Sequence, residues 1–285
     1  MLLRYSRLIR INNWIKNIII FLPIFFAQEF FQLSKLIELA LAFIAFSFIT
    51  SSIYILNDIL DIKEDRNHPL KLKRPLASGL IPMNTAAIIG VVLFGIGTGY
   101  FYLFSPDTLV IILIYVAIMI GYCYKFRKIA IIDVLIISSG FVLRLFIGSR
   151  ISETFISFWI IIMIFLLALF IAFSKRRDDI INQNKSGRES LDGYNISFLN
   201  TSISVLVPII IVSYLLYCTS DENIIRVGEN LYITTVFVIA GFLRYLQLVF
   251  VNKKGGDPIQ ILFDDLGVQF SIVGWISTFG YLLYF

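Results

Sequence analysis

Long uncharged runs alternate with short charged segments along the whole sequence. Most runs are about 20 residues long, the length of a helix that crosses a hydrocarbon core of about 30 Å. The pattern predicts nine membrane-spanning helices, over residues 18–28 (extended back to 14), 39–57, 85–106, 108–124, 129–148, 154–174, 195–220, 230–251 and 266–285. The expected fold is an all-α polytopic membrane protein, a single integral-membrane domain over residues 1–285, in which each helix satisfies its own backbone polar groups.

Composition and charge also place most of the chain in the lipid bilayer. The 285 residues are 58% hydrophobic and only 15% charged, which excludes an ordinary water-soluble globule. Of the 24 lysines and arginines, 19 lie in the N-terminal segment or in the loops after the second, fourth, sixth and eighth predicted helices. Because cytoplasmic loops retain basic residues, we expect the N-terminus and these loops in the cytoplasm and the C-terminus outside the cell membrane. The net charge of +5 then reflects topology rather than nucleic-acid binding.

An acidic motif closes the second predicted span. Its oxygen-bearing side chains are Asn57, Asp58, Asp61 and Asp65. If the helix continues through them, they lie along one face over two turns. Carboxylates this close repel one another unless a cation neutralises them, and Mg²⁺ prefers oxygen ligands and bridges carboxylates to phosphates. The motif therefore predicts a Mg²⁺ site; the alternative is a solvated helix end with Lys63 and Arg66 as internal salt-bridge partners.

Basic residues follow the acidic motif and also occur inside a predicted span. Lys73 and Arg74 lie in a turn-rich loop directly after the acids. Acids that hold metal and bases that hold phosphate are the two halves of a diphosphate site, although such a loop could also be a simple positive-inside anchor. Arg144 lies well inside the fifth span, where a charge is costly and usually faces a polar cavity. Asp133, on nearly the same helix face, is an alternative structural partner for Arg144.

The acidic and basic motifs together resemble a known family. The pattern Asn57-Asp58-x-x-Asp61-x-x-x-Asp65, followed by Lys73-Arg74-Pro75-x-x-Ser78-Gly79, is similar to the first signature of the UbiA superfamily of intramembrane prenyltransferases. Further stretches are similar to its decaprenyl-phosphate phosphoribosyltransferase branch: Asn13-Trp14-Ile15-Lys16-Asn17, residues 133–148, Phe173-Ser174-Lys175-Arg176-Arg177, Arg244-Tyr245-Leu246 and Gly255-Gly256-x-Pro258. Aromatic prenyltransferases of the superfamily usually carry a second Asp-x-x-x-Asp motif after helix six. Residues 175–194 hold no acids at that spacing, which favours the phosphoribosyl branch.

The resemblance implies a specific reaction. Phosphoribosyl would pass from 5-phosphoribosyl 1-diphosphate to a polyprenyl phosphate, giving a lipid-linked sugar precursor for the cell envelope. The resemblance also implies Mg²⁺ held by the acidic motif, with Asp58, Asp61 and Asp65 as the catalytic residues. The implied substrate-binding residues are Lys16, Lys73, Arg74, Arg144, Lys175, Arg176, Arg177, Arg188 and Tyr194.

Two other functions stay open on the sequence alone. A UbiA-type prenyltransferase would move a prenyl group from a prenyl diphosphate to an aromatic or glycerol-phosphate acceptor, and the missing second acidic motif counts against it. A membrane transporter would use intramembrane charges such as Asp133 and Arg144 as its substrate path. Nearly all polar segments lie on the predicted cytoplasmic side, which favours an enzyme that opens to the cytoplasm. The single histidine, His68, excludes a histidine-rich metal site.

Overall fold

Helices make up nearly all of the described structure. The computed structural model describes residues 2–67, 71–181, 189–251, 261 and 263–285, and no strand occurs within these ranges. The α-helices are α1 (Leu2–Leu8), α2 (Leu22–Phe26), α3 (Leu33–Leu60), α4 (Ile62–Arg66), α5 (Met83–Phe104), α6 (Pro106–Tyr124), α7 (Ile132–Ser152), α8 (Phe158–Ile181), α9 (Ile196–Cys218), α10 (Asp221–Val227), α11 (Thr235–Phe250) and α12 (Leu266–Tyr284). The 3₁₀ helices cover Ile11–Phe21, Lys71–Lys73, Phe126–Lys128, Glu189–Gly193 and Glu229–Thr234. The all-α class is as the sequence predicts.

Within the described ranges, eight helices are long and apolar enough to cross a membrane. They correspond to the second to ninth predicted spans, and they are α3, α5, α6, α7, α8, α9, α11 with the 3₁₀ turn before it, and α12. Two of them run well past the apolar pattern, because a helix does not have to stop where the lipid ends. α3 begins at Leu33 instead of residue 39. In its first turn, Lys35 Nζ donates to Glu29 Oε2 at 2.5 Å. α8 continues through a charged turn to Ile181.

The first apolar segment is a 3₁₀ helix rather than an α-helix. It covers Ile11–Phe21 and passes directly into α2, which has Pro23 in its first turn. A 3₁₀ helix rises about 2.0 Å per residue against about 1.5 Å for an α-helix, and runs of this length are uncommon. Ile11–Phe26 is shorter than the eight long helices. With 11 residues at the 3₁₀ rise and 5 at the α-helical rise, it nevertheless reaches about 30 Å, close to the thickness of a hydrocarbon core.

Polar side chains of α3 hold this segment in its 3₁₀ register. Trp14 Nε1 donates to Ser51 Oγ at 3.0 Å, and Asn17 Nδ2 donates to Ser47 Oγ at 2.9 Å. Three residues of 3₁₀ helix rise about 6 Å, the same as four residues of α-helix, so the two pairs stay in step. An α-helical first segment would rise only about 4.5 Å over the same three residues, which would displace Asn17 from Ser47 by about 1.5 Å.

The described residues form two compact units, and the first covers the chain up to Ile156 together with Glu189. In this unit α3 packs against α5, α6, α7 and the 3₁₀ helix, and Phe46 on α3 is fully buried. The 3₁₀ helix lies against α7 at Gly148. A Cβ atom on Gly148 would lie 2.0 Å from the Ile20 carbonyl oxygen, so only glycine permits this approach.

The second unit begins at Ser157 and contains α8 to α12. α8 packs against α9, and α11 packs against α12. The Tyr214 hydroxyl bonds the Thr234 hydroxyl at 2.5 Å and accepts from Trp275 Nε1 at 2.7 Å. Next to α12, Arg244 donates to Asp265 at 2.8 Å, and this hydrogen bond holds the pKa of the Asp265 carboxyl down to about 2. These three contacts all lie within the second unit.

Candidate functional site

The acidic motif straddles the junction between α3 and α4. α3 ends at Leu60 and α4 begins at Ile62. Backbone hydrogen bonds continue across the break: Asp61 N donates to Asn57 O at 3.0 Å, and Asp65 N donates to Asp61 O at 2.8 Å. Because the helical pattern of bonds four residues apart is kept, these side chains stay on one face, as their spacing predicts.

All three aspartates of the motif are buried. The exposed fractions of Asp58, Asp61 and Asp65 are 2%, 6% and 2%. A buried carboxylate is costly unless opposite charges or hydrogen bonds compensate it. Arg74 bridges two of the three, with its Nη1 3.1 Å from Asp58 Oδ1 and 2.6 Å from Asp65 Oδ2. Lys71 Nζ lies 4.0 Å from Asp65 Oδ1.

Arg10 is a second partner of Asp58. Its guanidinium forms an ion pair with Asp58 Oδ1 and lies 4.9 Å from the centre of the Tyr54 ring. Arg10 has a φ of 53°, in the left-handed region, at the N-terminal boundary of the 3₁₀ helix. Residues other than glycine rarely adopt this backbone conformation, and such strain is concentrated at functional sites. Arg10 therefore places a cation against the acidic motif from the start of the first segment.

Arg127 is the partner of Asp61. It lies in the 3₁₀ turn Phe126–Lys128, and its Nη1 donates to Asp61 Oδ2 at 2.5 Å and to Asn57 Oδ1 at 3.3 Å. The hydrogen bond to Asp61 raises the pKa of the Arg127 guanidinium. Asn57 Nδ2 also donates to Asp61 Oδ2 at 3.1 Å. Asn57 therefore orients both the carboxylate and the guanidinium.

The donor atoms of the motif fit a divalent cation. Asp61 Oδ1 and Asp65 Oδ1 are buried and have no hydrogen-bond partner among the described residues. Open, buried carboxylate oxygens are the ligands that Mg²⁺ prefers. The carboxylates do not yet converge, however: no group of three His, Cys, Asp or Glu side chains within the described ranges is arranged to hold a metal. Guanidinium groups lie between the acids instead.

Sequence reasoning missed Arg10 and Arg127, which had been treated only as topology signals. They lie 48 and 66 residues from the carboxylates that they contact, so no local spacing connects them to the motif. The sequence indicates only that Arg10 and Arg127 both lie next to predicted cytoplasmic ends of spans, the same side of the membrane as the acidic motif. Lys63 and Arg66, the predicted internal partners of the acids, are exposed.

The other predicted basic residues near the motif differ in exposure. Lys73 is exposed, and Lys16 is half-buried within the 3₁₀ helix. Arg74, predicted to bind phosphate, instead bonds the two aspartates described above. Its side chain is 28% exposed, so the guanidinium also has access to solvent.

Arg144 lies in the interior of the first unit, where it is 5% exposed. Its Nε donates to Asn17 Oδ1 at 2.8 Å, its Nη1 to the Gly140 carbonyl at 2.7 Å and its Nη2 to the Tyr115 hydroxyl at 3.0 Å. The guanidinium also lies 5.4 Å from the centre of the Phe46 ring. All three of its nitrogen atoms thus donate to neutral acceptors of the protein itself.

The second unit holds the remaining predicted residues, at the end of α8 and after it. Arg176 and Arg177 are 1% and 7% exposed. Arg176 Nη1 lies 3.0 Å from Asp179 Oδ2, whereas Arg177 Nε donates to Asn200 Oδ1 at 2.6 Å and its guanidinium lies 5.0 Å from the centre of the Phe250 ring. The residues not involved in these contacts are placed as follows: Lys175 is exposed, Tyr194 is buried between the Phe173 and Phe198 rings, and Arg188 lies outside the described residues.

Comparison with known proteins identifies the family. Residues 18–264 match the model of the UbiA prenyltransferase family, so the chain belongs to this family. It is accordingly an integral membrane protein, in agreement with its eight long apolar helices in the described ranges. The family resemblance read from the acidic and basic motifs is confirmed.

Individual relatives point to one branch of the family. A decaprenyl-phosphate phosphoribosyltransferase of Corynebacterium glutamicum is 28% identical over 276 residues, which covers 94% of this chain and 83% of the relative. The protein of the same name from Mycolicibacterium smegmatis is also 28% identical, over 97% of this chain and 91% of the relative. A solved structure of a UbiA homologue from Archaeoglobus fulgidus bound to GPP and Mg²⁺ matches with a TM-score of 0.71 and 18% identity, covering 99% of each chain. That likeness shows a shared fold.

Proposed function

We propose that this protein transfers phosphoribosyl from 5-phosphoribosyl 1-diphosphate to a polyprenyl phosphate, with release of diphosphate. The observation that carries the proposal is a buried cluster of carboxylates and arginines in a chain similar, over 94% of its length, to a decaprenyl-phosphate phosphoribosyltransferase. The product class, a lipid-linked pentose phosphate, is a precursor suited to building a cell envelope.

The proposed cofactor is Mg²⁺, and the residues that would hold it are Asn57, Asp58, Asp61 and Asp65. When bound, the cation supplies neutralisation of the charge that builds on the departing diphosphate. The bond from ribose C1 to the diphosphate oxygen breaks, and a bond from C1 to an oxygen of the lipid phosphate forms. The attacking phosphate oxygen is already ionised near neutral pH, so no side chain has to act as a general base.

Basic side chains have to bring two anionic substrates together. Arginine donates two parallel hydrogen bonds to phosphate, and lysine acts on it as a point charge. The candidates for phosphate contacts are the set predicted from the sequence, Lys16, Lys73, Arg74, Arg144, Lys175, Arg176, Arg177, Arg188 and Tyr194. Among the described members, the partial exposure of Arg74 favours such a contact, whereas the neutral acceptors around Arg144 favour a structural role.

The proposed arrangement in the cell membrane has nine spans in one transferase domain over residues 1–285. The reach of Ile11–Phe26, about 30 Å, supports counting it as the first span. The N-terminus and the acidic motif would lie at the cytoplasmic face, with the C-terminus outside. A cytoplasmic site is open to the water-soluble donor, and the polyprenyl phosphate reaches it within the lipid.

The experiment that tests this function offers both possible donors. Purified protein in detergent receives Mg²⁺, a polyprenyl phosphate and labelled 5-phosphoribosyl 1-diphosphate, and the label that enters the organic phase is counted beside an Asp61→Asn control. We expect Mg²⁺-dependent labelling that Asp61→Asn abolishes. A second candidate, prenyl transfer, is favoured by the fold shared with a homologue bound to GPP. Transfer from a prenyl diphosphate to an aromatic or glycerol-phosphate acceptor, without phosphoribosyl transfer, would establish it instead.

A further inference from the structure

The arginines among the acids suggest how the site is loaded. We propose that a divalent cation and a diphosphate group bind the acidic motif as a pair, because Arg10, Arg74 and Arg127 hold its carboxylates until phosphate oxygens take these arginines over. The inference rests on the proposed function, since it requires the motif to hold a cation at all.

Charge balance is the first argument. The three aspartates of the motif carry three negative charges, and the three arginines that contact them carry three positive ones. Lys71 Nζ, 4.0 Å from Asp65 Oδ1, adds a further positive charge. The negative charge of the cluster is therefore fully compensated before any ligand arrives. A divalent cation alone would leave this buried site with excess positive charge, which is costly in a low dielectric. A cation that arrives with a diphosphate brings the counter-charge with it.

The positions of the hydrogen bonds give the second argument. Arg74 occupies Asp58 Oδ1 and Asp65 Oδ2, and Arg127 occupies Asp61 Oδ2. The second oxygens of Asp61 and Asp65 are buried and have no hydrogen-bond partner among the described residues. A cation can therefore begin to bind at these open oxygens, but a full set of carboxylate ligands requires the guanidinium groups to leave.

The arginines are placed so that they can change partners. The side chains of Arg10, Arg74 and Arg127 are 22%, 28% and 18% exposed, whereas the carboxylates they contact are buried. A guanidinium at the edge of a buried acid can rotate toward an incoming phosphate without leaving the site. Phosphate oxygens match the guanidinium fork at least as well as a carboxylate does. The same three residues then stabilise the unloaded cluster and bind the diphosphate in the loaded one.

The test measures Mn²⁺ binding rather than activity. Equilibrium dialysis of the purified protein determines the Mn²⁺ retained with and without inorganic diphosphate. For the wild type we expect diphosphate to tighten Mn²⁺ binding by about tenfold or more. Arg127→Gln and Arg10→Gln should each bind Mn²⁺ alone about fivefold more tightly than the wild type, and diphosphate should then add less than about threefold.

A matched control removes a charge nearby without touching the acids. Arg66→Gln lies one residue after Asp65 on an exposed position, and we expect it to bind Mn²⁺ like the wild type. If Arg66→Gln raises the affinity as much as Arg127→Gln does, general electrostatics explains the effect and the inference is wrong. Cooperative thermal unfolding checks that each variant is folded. Arg127→Gln and Arg10→Gln contact different carboxylates, so either folded variant carries the test.

Two failures can be told apart. If the wild type binds Mn²⁺ equally tightly with and without diphosphate, and Asp61→Asn removes that binding, the paired loading is overturned while the metal site stands. The same conclusion follows if the arginine variants bind Mn²⁺ alone more weakly. If folded wild-type protein binds no Mn²⁺ under either condition, the proposed metal site itself is wrong, and the inference falls with it.

Discussion

The first unit holds two buried groups of charged and polar side chains that differ in one respect. In the acidic cluster, three arginines compensate three aspartates, yet two carboxylate oxygens keep no hydrogen-bond partner among the described residues. Around Arg144, every guanidinium nitrogen has a neutral acceptor at 2.7–3.0 Å. The acidic cluster is compensated in charge but incomplete in hydrogen bonds, whereas the guanidinium of Arg144 has a full set of acceptors.

This difference indicates that the acidic cluster binds a ligand, whereas the network around Arg144 holds helices together. Buried polar groups without partners are rare in folded proteins, and each needs a specific cause. In the acidic cluster the natural cause is a ligand that completes the bonding. Around Arg144 the bonds join α7 to the first segment through Asn17 and to α6 through Tyr115, so the network links three elements. We therefore expect changes in the cluster to affect chemistry and changes at Arg144 to affect folding.

The largest expected effect is at Asp61. Asp61→Asn keeps the shape of the side chain but removes a charge that the proposed cation needs. The transition state should lose several kcal/mol of stabilisation, and the rate of phosphoribosyl transfer should fall by about 10³-fold. Transfer of label to the organic phase measures this rate, and thermal unfolding should show a folded protein.

Glu64→Gln is the matched control for this prediction. Glu64 lies between Asp61 and Asp65 in sequence but is exposed. Its neutralisation should change the transfer rate by less than about threefold, since exposed charges contribute little. Comparable losses in the two variants would mean that only the total charge of the segment matters, and the cluster would no longer differ from a solvated helix end.

The next effect in size is at Arg144 and concerns stability. Arg144→Met keeps much of the side-chain volume but leaves Asn17 Oδ1 and the Tyr115 hydroxyl without their donor. The free energy of unfolding should fall by about 3 kcal/mol, because buried polar groups are left unpaired. Unfolding by SDS titration in mixed micelles measures the change. The protein that stays folded should keep its affinity for the polyprenyl phosphate.

The opposite result at Arg144 is equally informative. A stable Arg144→Met variant with a raised KM for the polyprenyl phosphate would show that the guanidinium leaves its neutral acceptors to bind the lipid phosphate. Arg144 would then belong with the acidic cluster as part of the site, which is the role that its position inside a span suggests from the sequence.

Local sequence patterns predicted what local physics determines. The uncharged runs located eight helices of the described chain, and the spacing of Asn57, Asp61 and Asp65 placed them on one helix face. The arginine partners could not be predicted in the same way. Which arginine reaches which carboxylate depends on packing between elements 48 or 66 residues apart.

The pattern of hydrophobic and polar residues also could not predict the 3₁₀ geometry of the first segment, although the spacing of its polar residues is compatible with it. Trp14 and Asn17 lie three residues apart, a spacing that suits one face of a 3₁₀ helix as well as an α-helix. Hydropathy does not distinguish the two. The choice depends on Ser51 and Ser47 of α3, whose four-residue spacing matches three residues of the first segment only at the 3₁₀ rise.

A third prediction extends the comparison to the second unit. Arg177 is buried and bonds Asn200 at 2.6 Å beside the Phe250 ring, which leaves its charge without a carboxylate in these two contacts. If it binds a substrate phosphate, Arg177→Gln should raise the KM for 5-phosphoribosyl 1-diphosphate by about tenfold while kcat changes less than about threefold. Arg226→Gln, at an exposed arginine of the same unit, is the control. An unchanged KM would assign Arg177 to packing, like Arg144.

The smallest expected effect is at Ser47, at the edge of the Arg144 network. Ser47→Ala removes the acceptor at 2.9 Å from Asn17 Nδ2, but Thr50 Oγ1 lies 3.4 Å from the same atom and can take over part of the bond. The free energy of unfolding should therefore fall by only about 1 kcal/mol. Ser139→Ala is the matched control, because among the described residues the Ser139 hydroxyl bonds only the Leu135 carbonyl of its own helix. If Ser47→Ala costs as much as Arg144→Met, the hydrogen bonds of the network act as one cooperative unit; if it costs no more than Ser139→Ala, apolar packing rather than polar pairing holds the first segment in register.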